Sequence, residues 1–397
     1  AGCGGLEASA PSQPEEEVDY PPHHPPNNLF QLIREYGGTG EEALLRISLK
    51  KNFLGGELFR GIPIIMGDHY IVPESYKDLS WDRRETQVHS LPLDLFQEFP
   101  IQYDPNPTLS LGNCGREMPP FFFPDPVTDG VNYYGVSLRD AREDFSGYEL
   151  RQVAEDGLWR TIYLPAEGRI LHPRIGLQGG YLLWYESDEV PGETTPWDGI
   201  QGGEVDLMRM NCSTGEAEVF KKVTLYSPLL KPVIREERLI CCVRQGDGYH
   251  LQVVTPTTGE VLVDHLIPDL PADMTYDGTR LAWSRANAGD LEDRVFVLDL
   301  ATGEERAVPG LSGVEVELFG ERYLVNVTDY AIRVYDLEED AVAFDSAQLE
   351  EAQDLMVLPC FAFDPPTGRG VFQTTRRDPD PYREFVLYLQ LAKGPAA

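Results

Sequence analysis

Two polar stretches carry side chains suited to holding a ligand. The first, Ser187 to Gly203, separates two apolar runs and contains Trp197 and Asp198. An exposed indole stacks on a sugar ring or anchors a peptide, and the same ring serves equally well as the small core of its own loop. The second, Arg376 to Arg383, gathers Arg376, Arg377 and Tyr382 with Asp378 and Asp380, which reads either as a ligand site or as a solvated loop. His69, His89, His172, His250 and His265 sit singly in or beside strand-like runs, where a histidine more often packs than reacts. The chain has no Gly-x-Ser-x-Gly elbow, no His-Glu-x-x-His and no phosphate-cradling loop, so no catalytic residue is assigned.

No metal site and no cofactor is expected. His23 and His24 lie in a proline-rich stretch without further ligands. Beyond Cys3 the cysteines are Cys114, Cys212, Cys241, Cys242 and Cys360, an odd number with no Cys-x-x-Cys spacing. Cys241 and Cys242 are adjacent in a strand-like run and should point to opposite sheet faces.

What must position these groups is a repeat. Thr-Gly-Glu recurs at Thr214, Thr258 and Thr302, each time 44 residues on and each time between β-rich runs. A period of about 40 to 50 residues built from short strands and tight turns is the mark of a β-propeller, one four-stranded blade per copy. Each blade buries both faces against its neighbours, so 397 residues need no single oversized core. The clearest copy reads Tyr276-Asp277-Gly278-Thr279-Arg280-Leu281-Ala282-Trp283, then Arg294 to Leu300, then Ala301-Thr302-Gly303-Glu304. It resembles the TolB-type propeller repeat, with Tyr276 where that family has proline. The resemblance implies an all-β propeller; seven blades are expected, with six as the alternative.

Closure is expected from both ends of the chain. The last repeat stops after three strands, and residues 43–49 can pair with 385–391, giving a propeller domain over 41–397. Residues 28–36 have Leu29, Phe30, Leu32 and Ile33 at helical spacing before Gly37-Gly38, so a short helix is expected there. It belongs to a flexible tether over residues 1–40, rich in Pro, Gly and Glu. Ala1-Gly2-Cys3 resembles the end of a bacterial lipoprotein signal, which implies a lipid on Cys3 and an extracytoplasmic, membrane-anchored protein.

Charge narrows the partners. With 66 acidic against 33 basic residues the chain carries −33, which repels phosphate backbones and anionic headgroups. Nucleic acid is therefore not expected, nor a membrane contact other than the Cys3 lipid. In propellers the connections between second and third strands share one face, and here several are long and polar: 139–147, 187–203, 286–293 and 376–383. Variable loops on a rigid scaffold carry binding. The sequence therefore points to a monomeric, non-enzymatic binding or scaffold module for a protein, peptide or glycan on that face. The alternative is a lyase or glycosidase whose central channel gathers acids and histidines from several blades, with paired carboxylates roughly 5 to 10 Å apart.

Overall fold

The computed structural model describes residues 30–36, 45–53, 64–66, 69–75, 86–92, 127–129, 131–138, 148–153, 159–188, 203–227, 230–286, 294–328, 331–348, 355–364, 369–376 and 384–393. The chain opens with β1 (Phe30–Tyr36) and β2 (Leu45–Phe53), then β3 (Ile64–Met66), β4 (His69–Ser75) and β5 (Thr86–Pro92). Next come β6 (Val127–Thr128), β7 (Tyr133–Leu138), β8 (Tyr148–Val153) and β9 (Trp159–Tyr163), and β10 (Arg169–Gln178), β11 (Tyr181–Asp188), β12 (Gly203–Asn211) and β13 (Ala217–Leu225). They are followed by β14 (Val233–Arg235), β15 (Arg238–Gln245), β16 (Gly248–Val254) and β17 (Val261–Ile267), and by β18 (Pro271–Tyr276), β19 (Arg280–Arg285), β20 (Val295–Asp299) and β21 (Glu305–Val308). The last are β22 (Glu315–Phe319), β23 (Tyr323–Val327), β24 (Ile332–Asp336) and β25 (Ala341–Asp345), then β26 (Leu355–Asp364), β27 (Arg369–Arg376) and β28 (Glu384–Lys393). All pairings are antiparallel, and the described strands group into seven sheets.

The core lies between the sheets. In β11, Leu182 and Trp184 pack with Tyr134, Val136 and Leu150 of the preceding sheet, whereas Leu183 and Tyr185 pack with Leu239, Cys241 and Val243 of the following one. Successive residues of a strand point to opposite faces, so one continuous apolar run feeds two interfaces. Cys241 and Cys242 separate in the same way, and burial pushes each thiol up to about 12, which leaves both inert at neutral pH.

The Thr-Gly-Glu turn has a physical reading. In the copy at Asp299, the carboxylate accepts hydrogen bonds from the N–H groups of Ala301 and Thr302 at 2.9 and 2.8 Å, and Thr302 Oγ1 accepts from Glu304 N–H at 3.2 Å. Gly303, at φ +73°, closes the loop by donating to the Asp299 carbonyl at 2.8 Å. In the copy at Thr214, Asn211 takes the role of Asp299, and after Asp336 the left-handed position falls to Asp340 at φ +53°. A Cβ on Gly303 would meet nothing within 4 Å, so backbone strain is the whole cost of adding one. Gly303→Ala is expected to lower stability by about 1 kcal/mol, read as a lower urea midpoint at unchanged slope.

Both ends of the chain share one sheet, in the order β1, β2, β28, β27, β26, with Ile47 opposite Leu391 and Leu49 opposite Leu389. The helix expected over residues 28–36 is overturned: β1 is a strand paired along its length with β2, Phe30 opposite Lys51 and Tyr36 opposite Leu45. The segment Phe-Gln-Leu-Ile-Arg-Glu-Tyr has apolar residues at a period of two as well as at helical spacing. A helix of two turns is marginal alone, while the free edge of β2 offers a ladder of hydrogen bonds, so the sheet prevails.

First strands of consecutive sheets run beside one another, as β14 with β18 and β18 with β22. They are therefore the inner strands, and the last strands β13, β17, β21 and β25 form the rim.

Candidate functional site

Of the residues singled out by sequence, Trp197, Asp198, Arg377, Tyr382 and Cys3 lie outside the described residues. Arg376 is the last residue of β27, where the 377–383 connection departs. What is described is the base on which the Trp197 connection stands. It leaves from Asp188 at the end of β11 and re-enters at Gly203 at the start of β12, the sheet end where β10 begins.

Arg169, the first residue of β10, ties these roots together. Its guanidinium donates to Asp188 Oδ1 at 2.8 Å and Asp206 Oδ2 at 2.6 Å, and its Nε lies 3.5 Å from Glu186 Oε2. Glu186 also accepts from Trp184 Nε1 at 2.8 Å. Lys222 on β13 stands 3.5 Å from both Glu204 and Asp206, so the network crosses all four strands of the sheet. Three carboxylates around one planar five-donor cation form a directional clamp, of a kind that a single lysine pair does not provide.

His172 lies beneath the clamp in an irregularity of β10, where the register with β11 shifts between Leu171 and Ile175. The ring is buried and its Nε2 is 3.1 Å from Ser187 Oγ. Burial first, and then the positive charge of Arg169, push its pKa down to about 4, so it is neutral at physiological pH.

A second network lines the ring's centre and joins three sheets. Glu317 on β22 is buried; its carboxylate accepts from Arg235 Nε on β14 at 2.9 Å and from Thr275 Oγ1 on β18 at 2.7 Å, and a second Arg235 nitrogen also contacts it. Asp273, two residues before Thr275, accepts from the Val316 N–H of β22 at 2.9 Å. Inner strands diverge too much for regular backbone pairing between sheets, so side chains satisfy the donors they leave over. Asp273 lies deep among neighbouring strands and yet keeps some contact with solvent. Burial raises its pKa to about 6, against the lowering effect of the Val316 and Met274 N–H groups and of the Arg235 and Lys231 charges. A carboxyl in that range can exchange a proton near neutral pH.

These inner-wall residues were missed in the sequence because their strands are short or begin with proline: Val233–Arg235 has three residues and β18 opens on Pro271. A signal was nevertheless present. Asp273 and Thr275 alternate with buried Ala272 and Met274, and Glu315 and Glu317 alternate with buried Val316 and Leu318. Polar residues at a period of two within a first strand mark positions where side chains reach the neighbouring first strand. Among the described residues no group of three or more His, Cys, Asp or Glu is placed to hold a metal ion.

Antiparallel sheets with cores between them, inner strands side by side and rim strands outside define a β-propeller. No protein-family model and no curated relative matches the chain. Among solved structures it is similar to an oligogalacturonate lyase in complex with manganese, at 12% identity over 92% of this chain and 97% of that one, with a TM-score of 0.52. An oligogalacturonate lyase from Vibrio parahaemolyticus matches at 12% identity over 90% and 96%, TM-score 0.49. TolB from Acinetobacter baumannii matches at 12% identity over 84% and 79%, TM-score 0.35. The likeness is one of fold, and at that level the expected β-propeller stands. No helix among the described residues is long and apolar enough to cross a membrane.

Proposed function

We propose that the chain is a non-enzymatic, extracytoplasmic binding module that takes a protein, peptide or glycan at the face bearing the long connections. The observation that supports this most is the Arg169 clamp. It holds the strands from which the polar Trp197 connection departs, and thus gives that connection a firm base. The inner-wall carboxylates fit the same reading, since Glu317 and Asp273 are already engaged by Arg235, Thr275 and the Val316 N–H. A glycan and peptide array probed with residues 41–397 tests it. A retained ligand should lose at least about tenfold in affinity on Trp197→Ala, as expected for an aromatic anchor; retention unchanged by that substitution and by Arg376→Ala counts against the proposed face.

We further propose that Cys3 carries a lipid that holds the module at the outer side of a membrane. The protein expressed from its native gene should partition with membranes and move to the soluble fraction on Cys3→Ser.

A second reading, a carbohydrate-active enzyme with its site in the central channel, is favoured by Asp273 and Glu317 on adjoining inner strands and by the pKa of about 6 at Asp273. Incubation with oligogalacturonides and other acidic oligosaccharides separates the two. Turnover abolished by Asp273→Asn in a folded protein establishes the enzyme, and binding without product supports the module.

A further inference from the structure

β17 is the rim strand of its sheet and pairs with β16 alone among the described strands. A free strand edge displays N–H and C=O groups that another extended chain can take up, and proteins guard such edges with lysine, proline or a very short strand. Other rim strands here carry those guards: β13 contains Lys221 and Lys222, and β21 has four residues including Arg306. β25 has five residues and exposes one large apolar side chain, Val342.

β17 runs for seven residues without Lys, Arg or Pro. Its one irregularity is a bulge at Leu262, after which 263–267 pair regularly with 249–253. Three of the eight large apolar side chains exposed among the described residues lie on it: Val261, Leu262 and Leu266, the last 60% exposed. From Leu262 to Leu266 exposure alternates, so Leu262, Asp264 and Leu266 form an open ridge while Val263 and His265 turn inward.

Charge identifies the occupant. From Gln245 to Asp269, the hairpin that carries this edge, the chain contains no Lys or Arg but has Asp247, Glu260, Asp264 and Asp269, of which Asp264 meets His250 and Asp269 meets Arg285. A second copy of the chain is disfavoured at this edge, because it would bring together two molecules of charge −33 and two such acidic hairpins. We propose that β17 is a docking edge for an extended segment of a partner protein with the pattern apolar-x-basic-x-apolar. Its backbone adds a strand to the sheet, its basic residue stands opposite Asp264, and its apolar residues flank that pair against Leu262 and Leu266. This edge is separate from the face proposed above, and neither proposal depends on the other.

The test uses the full chain and a fluorescein-labelled peptide, Ser-Thr-Val-Thr-Lys-Thr-Val-Thr-Ser, followed by anisotropy. Its control is the same sequence with N-methyl groups on the five central residues, which keeps the side chains and the charge and removes every N–H group that a strand could donate there. The expected result is saturable binding of the first peptide, with the control weaker by about tenfold or more. Leu266→Lys and Asp264→Lys, both at exposed positions, should each weaken binding by a similar factor. A peptide with glutamate in place of lysine should bind Asp264→Lys better than it binds the unchanged protein. Equal binding of the N-methylated control, or indifference to Leu266→Lys, overturns the proposal. So does a dimer of the free protein that Leu266→Lys dissociates, since the edge would then belong to a second copy.

Discussion

Glu317→Ala is expected to destabilise the protein by about 3 kcal/mol, well above the cost of an ordinary surface substitution. The carboxylate is buried and is the common acceptor for Arg235 and Thr275, on the inner strands of the two preceding sheets. Its removal takes away the carboxylate that the Arg235 guanidinium meets and orphans the buried Thr275 hydroxyl. Some water reaches Arg235, whose side chain is 21% exposed, so the loss should fall at the lower end of the range for breaking a buried pair. The control is a double-mutant cycle. Arg235→Met alone strands Glu317, while Arg235→Met with Glu317→Leu removes both charges and should recover much of the loss. Urea denaturation of the four proteins gives the coupling energy, and a value near zero would mean that the three sheets are not joined through this carboxylate.

A second large effect should appear in the pH dependence, where two buried groups act in opposite directions. Asp273 has its pKa raised to about 6, so its contribution to stability is fully present below the ordinary carboxylate value and is lost as pH rises through 6. His172 has its pKa lowered to about 4, so the unfolded chain takes up a proton first and stability falls as pH drops from 6.5 toward 4. Over pH 4 to 6 the two slopes largely cancel in the unchanged protein. Asp273→Asn keeps an acceptor for the Val316 N–H and removes the titration, which should leave the His172 slope exposed. Relative to the unchanged protein, the variant should gain on the order of 2 kcal/mol between pH 4 and pH 7, allowing for water at the carboxyl. Carboxylates held low by hydrogen bonds, such as Asp336 beside Arg322, lose their contribution only below about pH 4 and stay out of this window. Parallel curves for the two proteins over pH 4 to 6 would contradict the assignment.

The parts of this fold legible from residues were those whose physics is local. The Thr-Gly-Glu turns state their own geometry, because Gly303 answers a left-handed backbone and Thr302 and Asp299 satisfy nearby N–H groups without reference to anything distant. The strand-like run at Cys241 and Cys242 is read correctly, with the two thiols in different cores, since successive residues of a strand point to opposite faces. Local reasoning fails at Phe30–Tyr36, where helical and alternating patterns coexist and a free edge contributed by β2 selects the strand.

The candidate site was less visible. The polar loops around Trp197 and Arg376 stand out as interruptions of apolar runs, but Arg169 and Asp206 are 37 residues apart, and Arg235 and Glu317 are 82 apart. Pairs at such separations leave no periodic trace. Composition, period and turn chemistry thus specify repeated sheets, because each repeat is shaped by neighbours within a few residues of one another. Which charges meet at the axis, and which rim edge stays unguarded, follows from the placing of the sheets around the ring, since ion pairs and strand edges depend on distances that chain order does not encode.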